Sequence, residues 1–129
     1  MNISRVLDRY IGRRYDPAAF DCADLAVLLQ RDLFDKQIAM PADRARRLAP
    51  AAAIERYRAE LGRPIERDEI RDGDVVLIRS DFIHIGTLFH VNGAWRVLHN
   101  SRSLGGVWLH RLSDLPVLNL FIEGYYRWN

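Results

Sequence analysis

Apolar residues recur at three- and four-residue intervals in the first half of the chain and at alternate positions in the second. Ile3, Val6, Leu7 and Tyr10 fall at i, i+3, i+4 and i+7, which predicts a short amphipathic helix over the first ten residues, with Arg5 and Arg9 facing water and Gly12 ending it. A turn-like segment, Tyr15-Asp16-Pro17, follows. Asp21 then precedes the apolar series Leu25, Val27, Leu28, Leu29, Leu33 and Phe34, rich enough for a central buried helix. Asp21 is its natural N-cap, so Cys22 is expected in the first turn. From Pro41 to about Leu61 the pattern is helical again, with a break at Pro50 and apolar contacts expected from Leu48, Ile54, Tyr57 and Leu61; Gly62 closes this half.

Beyond Asp72-Gly73 the period shortens. Val75 to Ile78, Ile83 to Val91, Ala94 to Leu98, Val107 to Leu109 and Phe121 to Tyr126 are β-branched or aromatic segments parted by turn residues. Asn92-Gly93 is the strongest local signal, since both residues accept the positive φ of a tight hairpin turn. Helices first and an antiparallel sheet second predict an α+β fold, in which the helix bearing Cys22 packs on the C-terminal sheet. With 129 residues and no repeat or linker, the chain is read as a single domain, 1–129.

Composition narrows the function. Apolar residues make up 49% and charged residues 28%, the balance of a globular chain. The net charge is only +2, and Lys36 is the single lysine. The arginines are scattered, without an aromatic-studded basic face or zinc-finger spacing, so no nucleic-acid partner is expected; a genome-level preference for arginine accounts for the bias. No stretch approaches the apolar length that crosses a bilayer, and the N-terminus lacks a secretory apolar core, so synthesis in the cytoplasm without membrane insertion is expected. One cysteine cannot form an internal disulfide, which leaves the Cys22 thiol free for chemistry.

The hairpin places two histidines. With Asn92 and Gly93 as the loop, Val91 faces Ala94, Gly86 faces His99, and His84 lies two residues farther on the same face. On this register His84 and His99 are diagonal neighbours with Cα atoms about 7 to 8 Å apart. Cys22, at a helix N-terminus, would have its thiolate favoured by the helix dipole, and its own backbone N–H could meet a developing oxyanion. If the first turn of that helix packs on the face carrying His84 and His99, a thiol hydrolase is assembled: Cys22 attacks, His84 transfers the proton, and His99 holds His84 in its tautomer.

These residues resemble a known family. Tyr15 upstream of Phe20-Asp21-Cys22, then Asp72-Gly73-Asp74-Val75-Val76-Leu77, His84-Ile85-Gly86 and Val97-Leu98-His99 are similar, in order and spacing, to the NlpC family of papain-like cell-wall cysteine peptidases. The resemblance runs from about residue 10 to the C-terminus. It implies a papain-like fold, hydrolysis of the peptide stems of bacterial peptidoglycan through an acyl-enzyme, a Cys22-His84-His99 triad, and no cofactor or metal. Tyr15 and Asp21, flanking the nucleophile, are the expected substrate-binding residues. The chain departs from the family by Ala23-Asp24 after the cysteine and Asp16-Pro17-Ala18-Ala19 before it. Its compact length looks more like the phage tail-tip branch than a secreted autolysin, which implies tail proteins as partners.

Plainer roles compete at each position. A lone cysteine is more often a small buried apolar residue, and it is Asp21 and the two placed histidines that turn the balance toward catalysis. Tyr15 divides evenly between core and pocket wall, and Asp24 serves the helix dipole. His90, near the hairpin tip, and His110, ending a strand beside Arg111, are expected to be structural, as are Trp95, Trp108, Tyr125, Tyr126 and Trp128. Two other functions stay open: a catalytically silent binding or tail-assembly module, favoured by Ala23-Asp24, and a zinc site built from Cys22, His84 and His99.

Overall fold

The computed structural model describes residues 2–40 and 44–129, apart from the side chains of Arg44, Ala45, Tyr57 and Leu61. The helical start expected at Pro41 and the contacts expected of Tyr57 and Leu61 lie outside the described residues. Four helices, α1 (Ile3–Leu7), α2 (Cys22–Phe34), α3 (Arg44–Leu48) and α4 (Pro50–Leu61), precede the strands β1 (Gly62–Ile65), β2 (Val75–Arg79), β3 (Ile83–Val91), β4 (Ala94–Ser101), β5 (Gly106–Arg111) and β6 (Phe121–Trp128). All strand pairings are antiparallel, in the order β1-β6-β2-β3-β4-β5. The expected mixture of helices and antiparallel sheet is present.

Two elements and one residue differ from the pattern reading. The first helix closes at Leu7, and the strand Gly62–Ile65 was hidden behind an expected stop at Gly62. That strand contains Pro64 and lies at the sheet edge, where a missing N–H is tolerated. Leu48, expected to pack, is 73% exposed.

The hairpin register is the one that Asn92-Gly93 predicts: Val91 pairs with Ala94 and Gly86 with His99. Asn92 and Gly93 both adopt positive φ, 50° and 79°, as a two-residue turn matched to strand twist requires. Gly86 meets a further demand, because a Cβ there would lie 2.3 Å from Cγ2 of Val97 and 3.3 Å from Cβ of His99.

Both faces of the sheet are covered. On one, Leu25 and Leu29 of α2 pack against Phe89, Val91, Leu98 and Val107, while Cys22, Ala23 and Ala26 pack against Val75, Leu77, Ile83 and Ile85. On the other, Val76, Ile78, Leu88 and Val97 meet Leu112, Leu115 and Leu120 from the 3-10 turn Leu112–Leu118 and its exit. Each fully buried leucine contributes roughly 1.5 to 3 kcal/mol.

Candidate active site

Helix α2 begins at a densely bonded end. The Asp21 carboxylate accepts from the backbone N–H of Ala23 at 3.1 Å and of Asp24 at 3.0 Å, and Asp24 Oδ2 accepts in return from Asp21 N–H at 2.9 Å, closing a capping box. Arg46 from α3 donates through Nη1 to both Asp21 oxygens, at 3.0 and 2.9 Å, and through Nη2 to Asp24. Arg47 grips Asp24 with both terminal nitrogens. Burial tends to raise the Asp24 carboxyl, but the bonds from Arg47 and Asp21 and the charge of Arg46 outweigh it and hold Asp24 below its ordinary range. The departure Ala23-Asp24 thus has a local use, since Asp24 completes the cap and seats α3 on α2.

The capping leaves one first-turn donor free. Ala23 and Asp24 give their N–H groups to Asp21, and Leu25 bonds to the Asp21 carbonyl. Among the described residues, the N–H of Cys22 has no oxygen acceptor.

Cys22 sits where two strands part. Pairing of β3 with β4 stops at Gly86 and His99, so Ile83 to Ile85 pair only with β2, while Asn100 and Ser101 pair only with β5. The start of α2 enters this fork: the N–H of Ile85 donates to Sγ of Cys22, and Nδ2 of Asn100 donates to the carbonyls of Phe20 and Asp21 at 2.9 and 3.1 Å. Replacing Asn100 with Leu removes both donors from a fully buried position, and a loss of about 1 to 3 kcal/mol is expected in urea unfolding. An unchanged midpoint would show that Asn100 does not hold the turn that leads into Cys22.

The sulfur's environment corrects one expectation. Cys22 is 4% exposed, and burial pushes its thiol up to about 12; the Ile85 N–H and the Arg46 charge lower it, Asp21 raises it, and burial prevails. The group at rest is a neutral thiol, not the thiolate that the helix dipole led us to expect, because desolvation of a buried anion outweighs the half-charge of a helix end.

The three histidines form a column. His84 Nε2 lies 3.0 Å from His99 Nδ1, and His99 Nε2 lies 2.8 Å from His110 Nδ1. The first contact follows from the predicted register. The second repeats it one strand over: His99 pairs with Trp108, so His110 is its diagonal neighbour on β5. Burial lowers the proton affinity of His84 to about 4; burial, with the neighbouring imidazoles, takes His99 to about 3, and burial also lowers His110 despite the opposing Asp114 charge.

The column leaves the sheet on the face opposite that expected. His84 stands between Ile83 and Ile85, whose side chains pack with Cys22, and His99 shares the parity of Val97 in the cluster beneath Leu112 and Leu115. Helix α2 therefore packs on the reverse of the histidine face. What meets the sulfur from this strand is backbone, for the N–H that bonds Sγ belongs to the peptide link joining His84 to Ile85, while the His84 ring leaves that link on the other side of the sheet. Among the described residues, Nδ1 of His84 has no hydrogen-bond partner.

Tyr15 stands half-buried beside Cys22, its phenol pushed up to about 12 chiefly by burial, with the Asp21 charge adding to it. Asp21, expected to bind substrate, is instead 1% exposed and committed to the helix cap and Arg46. His110, expected to be only structural, joins the column; its register depended on the turn around Ser101 to Gly106, which carries no two-residue hairpin signature. Asn100 and Arg46 had no distinguishing signal, as one is a polar residue on a strand and the other an arginine among many. Among the described residues no group of three His, Cys, Asp or Glu is arranged to hold a metal ion, so the Cys22-His84-His99 zinc geometry is not formed. Compared with known proteins, the chain matches no family model, and no curated protein is similar enough to stand as a relative.

Proposed function

We propose that the chain is a cysteine peptidase in which Cys22 forms an acyl-enzyme, His84 moves the proton and His99 orients His84. The observation that carries this reading is the anchoring of His84: its Nε2 is held by His99 while Nδ1 stays unbonded, on the residue whose peptide link donates to Sγ. Both groups are neutral at rest, since burial raises the thiol and lowers the imidazole. His84 Nδ1 therefore takes the thiol proton as sulfur attacks, without a preformed ion pair. The free N–H of Cys22 faces the developing oxyanion, His84 returns the proton to the leaving amine, and water releases the acyl group.

The substrate follows from the family resemblance: peptide stems of bacterial peptidoglycan, with tail proteins as partners if the chain serves a phage tail tip and no nucleic acid in either role. Among the described residues no helix is long and apolar enough to cross a membrane. A second reading, a silent module that holds a wall fragment or a tail protein in the same fork, is favoured by the 4% exposure of Cys22 and its raised thiol.

Muropeptides incubated with the intact chain and with Cys22→Ala separate the two. Cleavage by the intact chain, lost in Cys22→Ala, is expected. Cleavage that survives the substitution removes Cys22 from the mechanism, and binding without cleavage by either protein establishes the module.

A further inference from the structure

Three neutral imidazoles in a row obey a strict proton count. Each of the two contacts, at 3.0 and 2.8 Å, holds one proton, and each neutral ring brings one. His99 takes part in both contacts with a single proton to give. If that proton is on Nε2, His110 must accept at Nδ1 and carry its own on Nε2, while His84 must donate from Nε2 and leave Nδ1 bare. If it is on Nδ1, every ring reverses. No third arrangement satisfies both contacts.

We propose that His84, His99 and His110 act as one column of uniform polarity, and that His110 is the positioning residue whose half-exposed ring decides which nitrogen of His84 is bare. The two ends of the column differ in solvent. His99 is fully buried, whereas His110 is partly open, stacked on Trp108, itself 48% exposed, with ring centroids 5.8 Å apart. A buried N–H without an acceptor is rarer, and costs more, than a bare buried acceptor. His84 and His110 are both half-buried, but His84 lies deeper among protein atoms, so water reaches an N–H pointing out from His110 more readily; the favoured polarity therefore sets the outward N–H at His110 and leaves Nδ1 of His84 bare. That is the form in which His84 can serve as a base.

Proton transfer through the column balances. As Nδ1 of His84 takes the Cys22 proton, the Nε2 proton of His84 passes to Nδ1 of His99. The Nε2 proton of His99 passes to Nδ1 of His110, and the Nε2 proton of His110 goes to water. Each ring ends neutral with one proton, sulfur is left as the thiolate, and one proton has reached solvent. This use of the column rests on Cys22 being the nucleophile; the polarity itself does not.

Nitrogen NMR spectra of the intact, histidine-labelled chain at neutral pH test the polarity with no substrate present. All three rings are expected as Nε2–H tautomers. His110→Phe removes the acceptor of the His99 N–H and is expected to convert His99 and His84 to Nδ1–H, whereas His110→Gln, with an amide oxygen to accept, keeps the original form. Where hydrolysis is measurable, His110→Phe lowers its rate by about tenfold or more and His110→Gln restores most of it. Rings in unlike tautomers, a charged ring at neutral pH, or an unchanged His84 in a folded His110→Phe would overturn the proposal. If His110→Phe does not fold, the unmodified chain and His110→Gln decide by the same criteria. A chain that shows the polarity yet cleaves nothing refutes the peptidase and leaves the column standing.

Discussion

Acidification from about pH 6.5 to about 4.5 is expected to remove about 5 kcal/mol of folding stability, enough to unfold an ordinary domain. The cause is the pair of buried imidazoles. Folded His84 and His99 keep neutral rings down to about 4 and about 3, whereas in the unfolded chain both bind a proton near the ordinary value of 6.5. Between those limits the unfolded chain holds more protons, so stability is intact above the unfolded value and falls as the pH falls. The slope is about 1.4 kcal/mol per pH unit for each ring, and it flattens only once the folded rings are themselves protonated. Asp24, held below its ordinary range, adds a further loss at lower pH, as its carboxylate is protonated. Urea unfolding at a series of pH values reads this directly. Stability that stayed level between about pH 6.5 and 4.5 would mean that the rings titrate normally and are not buried as neutral pairs.

Arg46→Ala is expected to cost about 3 kcal/mol, the low end of the penalty for breaking a buried ion pair, because Arg47 Nη1 stays 3.8 Å from Asp21 Oδ2. The side chains of Arg46 and Asp21 are 3% and 1% exposed, so water cannot replace the lost guanidinium. The damage falls on the start of α2, since the same Asp21 carboxylate caps the helix that begins at Cys22. Asp21→Asn combined with Arg46→Met removes both charges and retains a side chain able to cap, so the double variant should be more stable than Arg46→Ala. Equilibrium unfolding of the two proteins checks the order. A loss below about 1 kcal/mol in Arg46→Ala would show the pair to be solvated, with the worth of a surface contact.

Local chemistry made much of the site legible before any tertiary information. Asp21 followed by a periodic apolar run announces a capped helix, and the cap is where it was expected. Asn92-Gly93 admits one short hairpin register, and with period-two alternation that register alone puts His84 and His99 in contact. His110 was not legible, because the loop between β4 and β5 lacks a turn signature that would set the pairing. The thiol's protonation state was misread for a different reason. The helix-end effect can be read from neighbours in sequence, whereas desolvation is set by Val75, Leu77, Ile83 and Ile85, which reach Cys22 only when the chain folds.

Which residues lie beside one another along an element, and across a tight turn, was determined by the sequence itself, because backbone geometry repeats over a few residues and turn residues restrict φ. Which face of the sheet receives α2, where β3 and β4 separate to admit Cys22, and that Arg46 closes over Asp21 were decided only by the tertiary structure. Those outcomes depend on burial summed over distant segments, and no short stretch of the chain carries that sum.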